Sequence, residues 1–461
     1  MLSGFQYKPF REEILLTNDF GMYCFLQHPI FDQVIQQKLD SDHPKYQELK
    51  EKLFIFDGSR EEYIRTAEQY YREFNSFLFE PTNLLIMALT NECNNKCIYC
   101  QANGSKHRTA MTKEVADQII RRVKEMPAKN ITFEFQGGEP LLCFDLIQYI
   151  ILQAEQQIHD KQISFTLVSN LILLTEEMAD FFAVHQVFIS TSLDGPKTLH
   201  DKNRPSFNGE SSFDAVIRGK KLLEQRGIFS GAIQTTTAYS LPYPEEIVDL
   251  YTELGITQLF FRPLTRLGAA ARRWDEIGYS ADEYLAFYRK ALFRILERNL
   301  NGEKVTDYLL SIFLAKIFLG KSVNYMELRS PCGAAIGQLA FTANGNVYTC
   351  DEGRMIAETG DEAFLLGNVF DSGYEDWMNS NCCKAICSAS LLDGLPGCHN
   401  CVYKPYCGVC PVVNYALNGS ITSVVQERCK IYKGILDMLF EYIYDNDISI
   451  LQIFREWSER A

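Results

Sequence analysis

The sequence lacks three features that would direct the chain to a membrane, to export or to nucleic acid. No apolar run reaches the length that a membrane-spanning helix needs, and the residues after Met1 carry no export signal. Lys and Arg are outnumbered, at 45 against 59 Asp and Glu, which gives a formal net charge of −14. Such a charge repels a phosphate backbone. We therefore expect a cytoplasmic protein with neither membrane nor nucleic acid as its partner.

The composition is that of a large globular chain rich in cysteine. Its 461 residues are 46% hydrophobic and 23% charged, which suffices for about two to four domains and an extensive core. Fifteen cysteines are present. In a reducing compartment, thiols serve metal binding or redox chemistry more often than they form disulfides. The cysteines therefore predict metal centres.

Three of these cysteines stand close together after an apolar run at 84–89. Cys93, Cys97 and Cys100 have the spacing C-x3-C-x2-C. Three thiolates on one loop suit an iron–sulfur cluster, and a four-iron cluster with three protein ligands keeps one iron open for substrate chemistry. Zinc is the alternative, but it would need a fourth ligand, for which His107 is a candidate.

From residue 84 onward, strand-like and helix-like segments alternate. The candidate strands are 84–89, 131–135, 163–168, 187–192, 231–236 and 258–262. The candidate helices are 112–126, 141–159, 176–184, 213–226 and 244–254. This alternation predicts parallel βαβ units and an α/β fold. In parallel barrels the site lies at the carboxyl ends of the strands, where the cysteine loop also stands.

Chemically useful residues follow several of these strands. They are Gly137, Gly138, Glu139 and Pro140 after the second strand, Ser169 and Asn170 after the third, Ser192 and Asp194 after the fourth, and Arg262 after the sixth. The two glycines allow a ligand to approach the backbone closely. Ordinary explanations also exist: a helix cap for Ser169 and Asn170, a turn for Asp194 and a surface ion pair for Arg262.

The cysteine loop resembles the signature of the radical S-adenosylmethionine (radical SAM) enzymes, because Tyr99 gives it the form C-x3-C-x-aromatic-C. The GGEP sequence at 137–140 and the SLDG sequence at 192–195 resemble two further motifs of that family. The resemblance implies a partial (β/α)6 barrel and a [4Fe–4S] cluster whose open iron binds SAM, which is cleaved to a 5′-deoxyadenosyl radical. It also implies that Tyr99 and the strand-end residues named above form the SAM site.

Seven more cysteines follow near the C-terminus: Cys332, Cys350, Cys398, Cys401, Cys407, Cys410 and Cys429. Their order resembles the SPASM extension of radical SAM enzymes, which carries two auxiliary [4Fe–4S] clusters. The resemblance implies two ligand sets, Cys332, Cys350 and Cys410 for the first cluster and Cys398, Cys401, Cys407 and Cys429 for the second. With the barrel cluster, about twelve irons per chain are expected.

The match is imperfect at the first auxiliary cluster. Two residues rather than the usual three separate Cys407 from Cys410, and no cysteine stands shortly before Cys332. Either that cluster keeps an open iron, or one of three further cysteines completes it. Those three are Cys382, Cys383 and Cys387, and the alternative is that they are free thiols on a helix.

The patterns and the resemblance together divide the chain into four parts. Residues 81–275 are expected to form the barrel, 276–330 a helical linker, and 331–461 the SPASM domain. Residues 1–80 predict a hairpin around 18–21 followed by helices. This part resembles the winged-helix module with which maturases hold a leader peptide; the alternative is a cap over the barrel.

Several stretches, among them 9–11, 133–140 and 351–355, resemble one subgroup, the His-Xaa-Ser system radical SAM maturases. The implied substrate is a ribosomally synthesised precursor peptide or small protein, and the implied electron donor is a flavodoxin or ferredoxin. We expect a peptide-modifying oxidoreductase whose auxiliary clusters accept an electron from the substrate. The alternatives are an anaerobic sulfatase-type maturase that forms formylglycine, a non-catalytic iron–sulfur electron carrier and a zinc scaffold that binds peptides.

Asp351 is the expected catalytic base. It follows the predicted ligand Cys350, and sulfatase maturases have a proposed base at the matching position. A carboxylate held beside an anionic cluster becomes a better proton acceptor, because the like charge disfavours its ionised form. The alternative is an exposed acidic turn of Asp351 and Glu352 that Arg354 caps.

Overall fold

The computed structural model describes residues 2–102, 108–229, 231–323 and 326–460. His107, the candidate zinc ligand, lies outside these described residues. Within the same ranges, no helix combines the length and the apolar character that crossing a membrane would require.

The N-terminal part is an antiparallel sheet followed by three helices. Its elements are β1 (Gln6–Phe10), β2 (Glu13–Thr17), β3 (Tyr23–Gln27), α1 (His28–Ile35), α2 (Pro44–Glu51) and α3 (Arg60–Phe74). The predicted hairpin connects β2 to β3, and the side-chain oxygen of Asn18 shapes its turn by accepting hydrogen bonds from the Phe20 and Met22 amides. The sequence did not predict β1, because Pro9 interrupts its pattern. Proline is tolerated there because β1 is an outer strand.

Parallel strands and the helices between them form the centre of the molecule. They are β4 (Leu84–Ala88), α4 (Lys113–Glu125), β5 (Asn130–Gln136), α5 (Phe144–Gln157), β6 (Gln162–Ser169), α6 (Glu176–Val184), β7 (Phe188–Ser192), α7 (Lys197–Asn203), α8 (Ser212–Glu224), β8 (Gly231–Thr235), α9 (Pro244–Glu253) and β9 (Gln258–Arg262). Every predicted strand is present, and neighbours from β4 to β9 pair in parallel. The predicted α/β class is confirmed.

Helix α4 shows how local sequence and packing cooperate in these units. The Thr112 side chain caps the helix by accepting a hydrogen bond from the Val115 amide. The apolar residues Val115, Ala116, Ile119, Ile120 and Val123 recur at helical spacing and are buried. Burying one branched aliphatic side chain contributes about 1.5–3 kcal/mol, so this face holds the helix on the sheet.

Helices also dominate the rest of the chain. They are α10 (Gly268–Arg272), α11 (Trp274–Ile277), α12 (Ala281–Leu300), α13 (Tyr308–Phe318), α14 (Asp351–Ala357), α15 (Tyr374–Asn379), α16 (Asn381–Ala389), α17 (Pro411–Asn418), α18 (Gln426–Asp445) and α19 (Ile448–Ser458). Residues of α12, α13, α18 and α19 share one apolar core with β9. The helices predicted for 276–330 are therefore present, but they share their apolar core with the C-terminal helices α18 and α19.

Both edges of the central sheet are extended by later segments. β10 (Thr306–Asp307) pairs with β9, and β11 (Gln338–Phe341) pairs in parallel with β4. β12 (Asn346–Tyr348) and β13 (Leu365–Asn368) continue the sheet antiparallel. The strand order is therefore β10-β9-β8-β7-β6-β5-β4-β11-β12-β13. Because β12 ends just before Cys350, this pairing brings the C-terminal cysteines beside the barrel.

The N-terminal sheet packs on the C-terminal region. The ring of Phe25 lies 5.1 Å from that of Tyr444 on α18. The Thr17 hydroxyl donates to the Val402 carbonyl at 2.5 Å. Further contacts of the same kind are the ion pairs Lys8–Asp437 and Lys404–Asp19 and the hydrogen bond from the Tyr406 hydroxyl to the Gly21 carbonyl. The N-terminal part thus borders the segment that carries Cys401 and Cys407.

Candidate active site

A cavity of about 200 Å³ opens at the carboxyl ends of the central strands. Most of the residues predicted for the barrel site line it: Cys93, Cys97, Tyr99, Cys100, Gly137, Gly138, Glu139, Ser169, Asn170 and Ser192. The lining also includes Arg204 and Arg354, which the sequence did not single out as site residues. Pro140, Asp194 and Arg262 were predicted for this site but are not part of its lining. The fold therefore gathers the cysteine loop and the ends of several strands around one space.

Backbone hydrogen bonds hold the cysteine loop against two distant segments. The Ile98 amide donates to the Asn203 carbonyl at 2.9 Å, and the Ala269 amide donates to the Cys100 carbonyl at 2.8 Å. Burial raises the pKa of Cys97 to about 12 and that of Cys93 to about 11. A metal must therefore displace their protons, as thiolate ligation requires.

The two glycines of the GGEP turn lie against the backbone of the cysteine loop. Gly137 has φ +144°, and a Cβ there would lie 2.2 Å from the Thr90 carbonyl oxygen. A Cβ on Gly138 would lie 2.1 Å from the Glu92 carbonyl oxygen. Glycine is therefore required at both positions for the turn to pack on this loop. This requirement is separate from the close approach of a ligand that the sequence suggested.

Glu139 is buried and joins the ends of β5 and β6. Its Oε1 accepts hydrogen bonds from the Ser169 hydroxyl at 2.7 Å and from the Leu141 amide at 3.1 Å. Its Oε2 accepts one from the Asn170 amide at 2.9 Å. A carboxylate offers about four acceptor positions, so one position on Oε2 is left for a cationic donor. Burial raises the pKa of Glu139, although these donors partly oppose the effect.

Pro140 directly follows Glu139 and has a structural role. It is buried and starts the short 3₁₀ turn Pro140–Cys143 that leads into α5. Its ring suits the first position of such a turn, where an amide hydrogen would have no partner.

Asp194 holds neighbouring side chains instead of facing the cavity. Its Oδ2 accepts from the Tyr99 hydroxyl at 2.7 Å and from Arg204 Nε at 3.1 Å. Its Oδ1 accepts from Arg204 Nη2 at 3.1 Å and from the Thr235 amide at 3.2 Å. All of its roughly four acceptor positions are used. Asp194 therefore holds Tyr99 and Arg204 in place, a role different from the turn weighed as its alternative, and no acceptor position is left for the predicted contact with SAM in this arrangement.

Arg204 is one of the two arginines of this site that the sequence did not single out. It follows α7, it is buried, and its Nη1 lies 4.0 Å from Cys97 Sγ. The two-point pairing with Asp194 keeps its charge compensated inside the protein. A cation beside Cys97 favours the thiolate over the thiol, and its electrostatic effect does lower the pKa of Cys97 against the larger effect of burial. The only sequence signal was an arginine directly after the fourth βα unit.

Asp351 begins α14 and is paired with Arg354. The Arg354 Nε donates to Asp351 Oδ1 at 2.8 Å. Arg354 is 1% exposed, borders the cavity and also reaches Glu358 at 3.3 Å and Gln136 at 3.4 Å. The pairing foreseen in the alternative interpretation is present, but the turn is largely buried instead of exposed, since the Asp351 side chain is 15% exposed.

Cys332, Cys350 and Cys410 belong to one buried apolar cluster. Burial raises the pKa of Cys332 to about 12 and also raises the pKa values of the other two. Glu352 lies among them, because its carboxylate accepts from the Cys350 thiol and its charge acts on all three. The predicted first auxiliary set is therefore together in space, with one carboxylate beside it.

The predicted second auxiliary set lines a separate cavity. Its members are Cys398, Cys401, Cys407 and Cys429, and Lys433 borders the same space. Burial raises the pKa of Cys398 to about 11 and that of Cys407 to about 12. Cys410 also borders this cavity, although it packs with the first set. In the described ranges, no three Cys, His, Asp or Glu side chains converge tightly enough to bind a single metal ion.

Arg262 lies at the edge of a second, larger cleft. This cleft of about 990 Å³ runs between the end of β9 and the helices α17 and α18. Its lining includes Trp274, Glu327 and Arg428. Arg262 Nη2 donates to Glu352 Oε1 at 3.4 Å. An ion pair, the alternative weighed for Arg262, is thus present, but with a largely buried partner, and it links the cleft to the first auxiliary set.

Comparison with known proteins gives the same family for this region. Residues 87–258 match the family described as the radical SAM superfamily. The chain is 26% identical over 314 residues to a cysteine-type anaerobic sulfatase-maturating enzyme of Clostridium perfringens, covering 65% of this chain and 81% of that enzyme. It is 28% identical over 278 residues to the serine-type anaerobic sulfatase-maturating enzyme of Klebsiella aerogenes, covering 59% of this chain and 67% of that enzyme.

Solved structures show the fold more completely. The structure described as anSMEcpe with bound AdoMet superposes with a TM-score of 0.71 at 22% identity, covering 82% of this chain and 98% of that one. Streptococcus suis SuiB bound to the precursor peptide SuiA superposes with a TM-score of 0.55 at 14% identity, covering 92% of this chain and 98% of SuiB. Residues 87–258 therefore form a radical SAM domain, and the chain that contains this domain is similar, over about two thirds of its length, to an anaerobic sulfatase-maturating enzyme.

Proposed function

We propose that the chain modifies a ribosomally synthesised peptide or small protein, using SAM and a [4Fe–4S] cluster held by Cys93, Cys97 and Cys100. The observation that carries this proposal is the meeting of the cysteine loop with Glu139 and Asn170 around one cavity. When bound, the cluster and SAM supply hydrogen-atom abstraction from the substrate. The residues of the chain supply binding, orientation and the exclusion of water.

The donor and acceptor groups of the cavity fit SAM. The open position on Glu139 Oε2 suits the ammonium group of the methionine part, because a charge-assisted hydrogen bond would compensate the buried carboxylate. Asn170 and Ser192 border the same space and offer neutral polar groups to a ribose or carboxylate. Arg204 and Arg354 bring positive charge near the cysteines, which favours anionic ligands there.

The larger cleft is the proposed path of the peptide. Its volume of about 990 Å³ and its mixture of aromatic and charged side chains suit a segment of extended chain. Two relatives by fold have been solved with bound peptides, Kp18Cys peptide in one and SuiA in the other. Arg262 and Glu352 stand where this cleft meets the first auxiliary set. A substrate carbon placed there could pass an electron to an auxiliary cluster.

The N-terminal part is proposed to hold a leader segment of the substrate. β1 is an outer strand of its sheet, and an outer strand can accept an extended peptide as an additional strand. Slower amide hydrogen exchange over Gln6–Phe10 when peptide is added would support this role. Unchanged exchange at saturating peptide would favour a purely structural part. Deletion is a poor test, since it would expose Tyr444 and its neighbours.

Asp351 is proposed as the base that takes a proton from the oxidised substrate. Its ion pair with Arg354 fixes the carboxylate beside the cavity, which is what a positioned base requires. An electron carrier such as a flavodoxin or ferredoxin is proposed as the donor for SAM cleavage. The proposed subgroup remains that of the His-Xaa-Ser system maturases, on the strength of the sequence stretches quoted above.

The central assignment is tested by iron content and SAM cleavage after anaerobic reconstitution. Changing Cys93, Cys97 and Cys100 together to Ala should remove about four irons and abolish formation of 5′-deoxyadenosine. Cys143→Ala is the matched control, because this thiol belongs to none of the predicted ligand sets and should change neither readout. SAM cleavage that survives the triple change would overturn the proposal.

A sulfatase-type maturase is the second candidate, since the two sulfatase-maturating enzymes named above align with 59–65% of this chain. Both candidates need a peptide with an oxidisable side chain, so the product decides between them. Mass spectrometry of a peptide co-expressed with the enzyme should show a modified residue. Conversion of a Cys or Ser to formylglycine would favour the second candidate, and any other mass change in the peptide would favour the first.

A further inference from the structure

A third cavity lies between the large cleft and the cavity proposed to bind SAM. This connecting cavity has a volume of about 460 Å³. It shares Arg266, Ala271 and Ala416 with the cleft, and it shares Gln101 and Met355 with the SAM cavity. The linings given for the cleft and the SAM cavity have no residue in common. The most direct route from the cleft to the SAM cavity therefore runs through the connecting cavity.

Arg266 stands where the cleft meets the connecting cavity, and the turn after it packs on the cysteine loop. The Ala269 amide donates to the Cys100 carbonyl at 2.8 Å. Gly268 has φ +55°, and a Cβ there would lie 2.3 Å from the Gln101 carbonyl oxygen. This close packing fixes the backbone near Arg266 relative to the SAM cavity.

The guanidinium group of Arg266 is oriented by a neighbouring aromatic ring. It lies over the ring of Trp274, 5.5 Å from the ring centroid, and the side chain is exposed to solvent. A cation–π contact limits the freedom of an arginine side chain while most of its five N–H donors remain available to another partner. In the part of the chain that the structure describes, no carboxylate lies within ion-pair distance of Arg266.

The charged side chains of the cleft differ in how they are compensated. The lining contains three arginines and two glutamates. Those that have partners are Arg262 with Glu352, Arg428 with Glu327, and Glu427 with the amide of Ala281. In the connecting cavity, the Asp361 carboxylate accepts a hydrogen bond from the Tyr415 hydroxyl at 2.8 Å. Among the described residues of the cleft, Arg266 is thus the cation that lacks a counter-charge.

We propose that Arg266 determines substrate specificity by binding a carboxylate of the peptide where the peptide enters the connecting cavity. A guanidinium matches a carboxylate in charge and in two-point hydrogen-bond geometry. This inference rests on the proposed function, because it takes the cleft as the path of the peptide. It adds the substrate class: a peptide that carries an Asp or Glu side chain, or its own terminal carboxylate, close to the residue that is modified.

The first test measures which peptides the enzyme retains. The full chain is reconstituted, supplied with SAM and exposed to a random nonapeptide library that is acetylated at the N-terminus and amidated at the C-terminus. Bound peptides are sequenced by mass spectrometry. Wild type should enrich peptides with Asp or Glu over those with Asn or Gln, and Arg266→Met should lose this preference. Arg273→Met is the matched control, since Arg273 pairs with Glu276 at the surface and is not among the lining residues.

A double-mutant cycle then tests for direct contact between Arg266 and the carboxylate. One enriched peptide is made with its acidic residue and with the corresponding amide, and the Kd of each form is measured by fluorescence anisotropy. Wild type should bind the acidic form about 10- to 100-fold more tightly, whereas Arg266→Met should bind both forms alike. Arg266→Lys keeps the charge without the two-point geometry and should retain part of the difference.

A second library with free C-terminal carboxylates separates the two sources of the carboxylate, since selective retention of this library alone would assign the site to the end of the peptide. Two outcomes would overturn the inference. One is a carboxylate preference that persists in Arg266→Met, and the other is retained peptides without preference for a carboxylate of either kind. A wild-type enzyme that retains neither library would contradict the proposed peptide cleft itself, and the amount of peptide retained distinguishes this failure from the other two.

Discussion

Arg262, the last residue of β9, donates a hydrogen bond to Glu352, the second residue of α14, across 3.4 Å. The pair joins the carboxyl end of a barrel strand to the turn that follows Cys350. Burial raises the pKa of Glu352, and Arg262 opposes that rise. Arg262 thus supplies positive charge that partly compensates a carboxylate buried beside three thiols. The Arg262–Glu352 ion pair therefore links the barrel to the first auxiliary set.

Glu139→Gln should weaken SAM binding about 10- to 100-fold, because a hydrogen bond to a charged group contributes about 1.5–3 kcal/mol. The amide keeps the shape of the side chain but removes the negative charge opposite the expected ammonium group. The measurement is the Kd of SAM by equilibrium dialysis with the reconstituted enzyme. Glu155→Gln is the control, since Glu155 pairs with His185 at an outer helix. Equal SAM affinity in Glu139→Gln and wild type would contradict the proposed contact.

Gly138→Ala should destabilise the cysteine loop by about 1–3 kcal/mol, because overpacking costs that much and the new Cβ would lie 2.1 Å from the Glu92 carbonyl oxygen. We expect a lower Tm and loss of about four irons after reconstitution. Gly394→Ala is the matched control, since nothing lies within 4 Å of a Cβ at Gly394. A Gly138→Ala variant with normal Tm and iron content would show that the loop can move aside.

Lys433→Met should lower the reduction potential of one auxiliary cluster. Lys433 lies one turn after Cys429 on α18 and borders the cavity of the second set. Burial lowers the pKa of Lys433, but the four thiols of that set raise it more. Positive charge and hydrogen bonds near cluster sulfurs raise the potential, so removing them should lower it.

Redox titration followed by EPR would measure this shift. Lys433→Arg keeps the charge and should retain most of the wild-type potential. Lys430→Met is the control on the same helix, because Lys430 is paired with Asp282 at the surface. The same potential in Lys433→Met and wild type would show that Lys433 does not act on the cluster.

Asp351→Asn should keep its iron and its SAM cleavage while forming at least about 10²-fold less modified peptide, the usual contribution of a general base. The shape of the side chain is retained, and only proton acceptance is lost. Asp371→Asn is a suitable control, because Asp371 is exposed after β13. Product yield is measured by mass spectrometry under single-turnover conditions. A wild-type yield from a variant with full iron content would exclude this role.

The stability of the apo-protein should fall as pH rises from about 4.5 to 7, in part because of Glu358. Burial raises the pKa of Glu358 from 4.5 to about 7, against the opposing charge of Arg354. The folded state therefore binds more protons than the unfolded state within this window, so deprotonation favours unfolding.

Replacing the group with a neutral one isolates its contribution to the pH dependence. Glu358→Gln should match the wild-type Tm near pH 4.5 and exceed it above pH 7. The corresponding gain in the free energy of unfolding is about 1–3 kcal/mol. Glu375→Gln is the control, because Glu375 is exposed on α15. Parallel Tm curves for Glu358→Gln and wild type across this range would contradict the prediction.

The sequence by itself determined the local parts of this protein. The spacing of Cys93, Cys97 and Cys100 indicated a cluster loop, and the alternation of apolar runs gave every strand from β4 to β9 within a few residues. Both signals are short-range: ligands on one loop are close because of chain length alone, and hydrophobic periodicity reports the local conformation. The gathering of most predicted site residues around one cavity followed, because parallel strands end at one edge.

Only the tertiary structure decided the relations between distant segments. It filled the acceptor positions of Asp194 with Tyr99 and Arg204, paired β11 with β4, and packed the N-terminal sheet on α18. It also packed Cys332, Cys350 and Cys410 into one buried apolar cluster, although up to 78 positions separate them in the sequence. Periodicity shows that a residue is buried but not which residue buries it, because the partner is chosen by packing and hydrogen bonding across the whole fold.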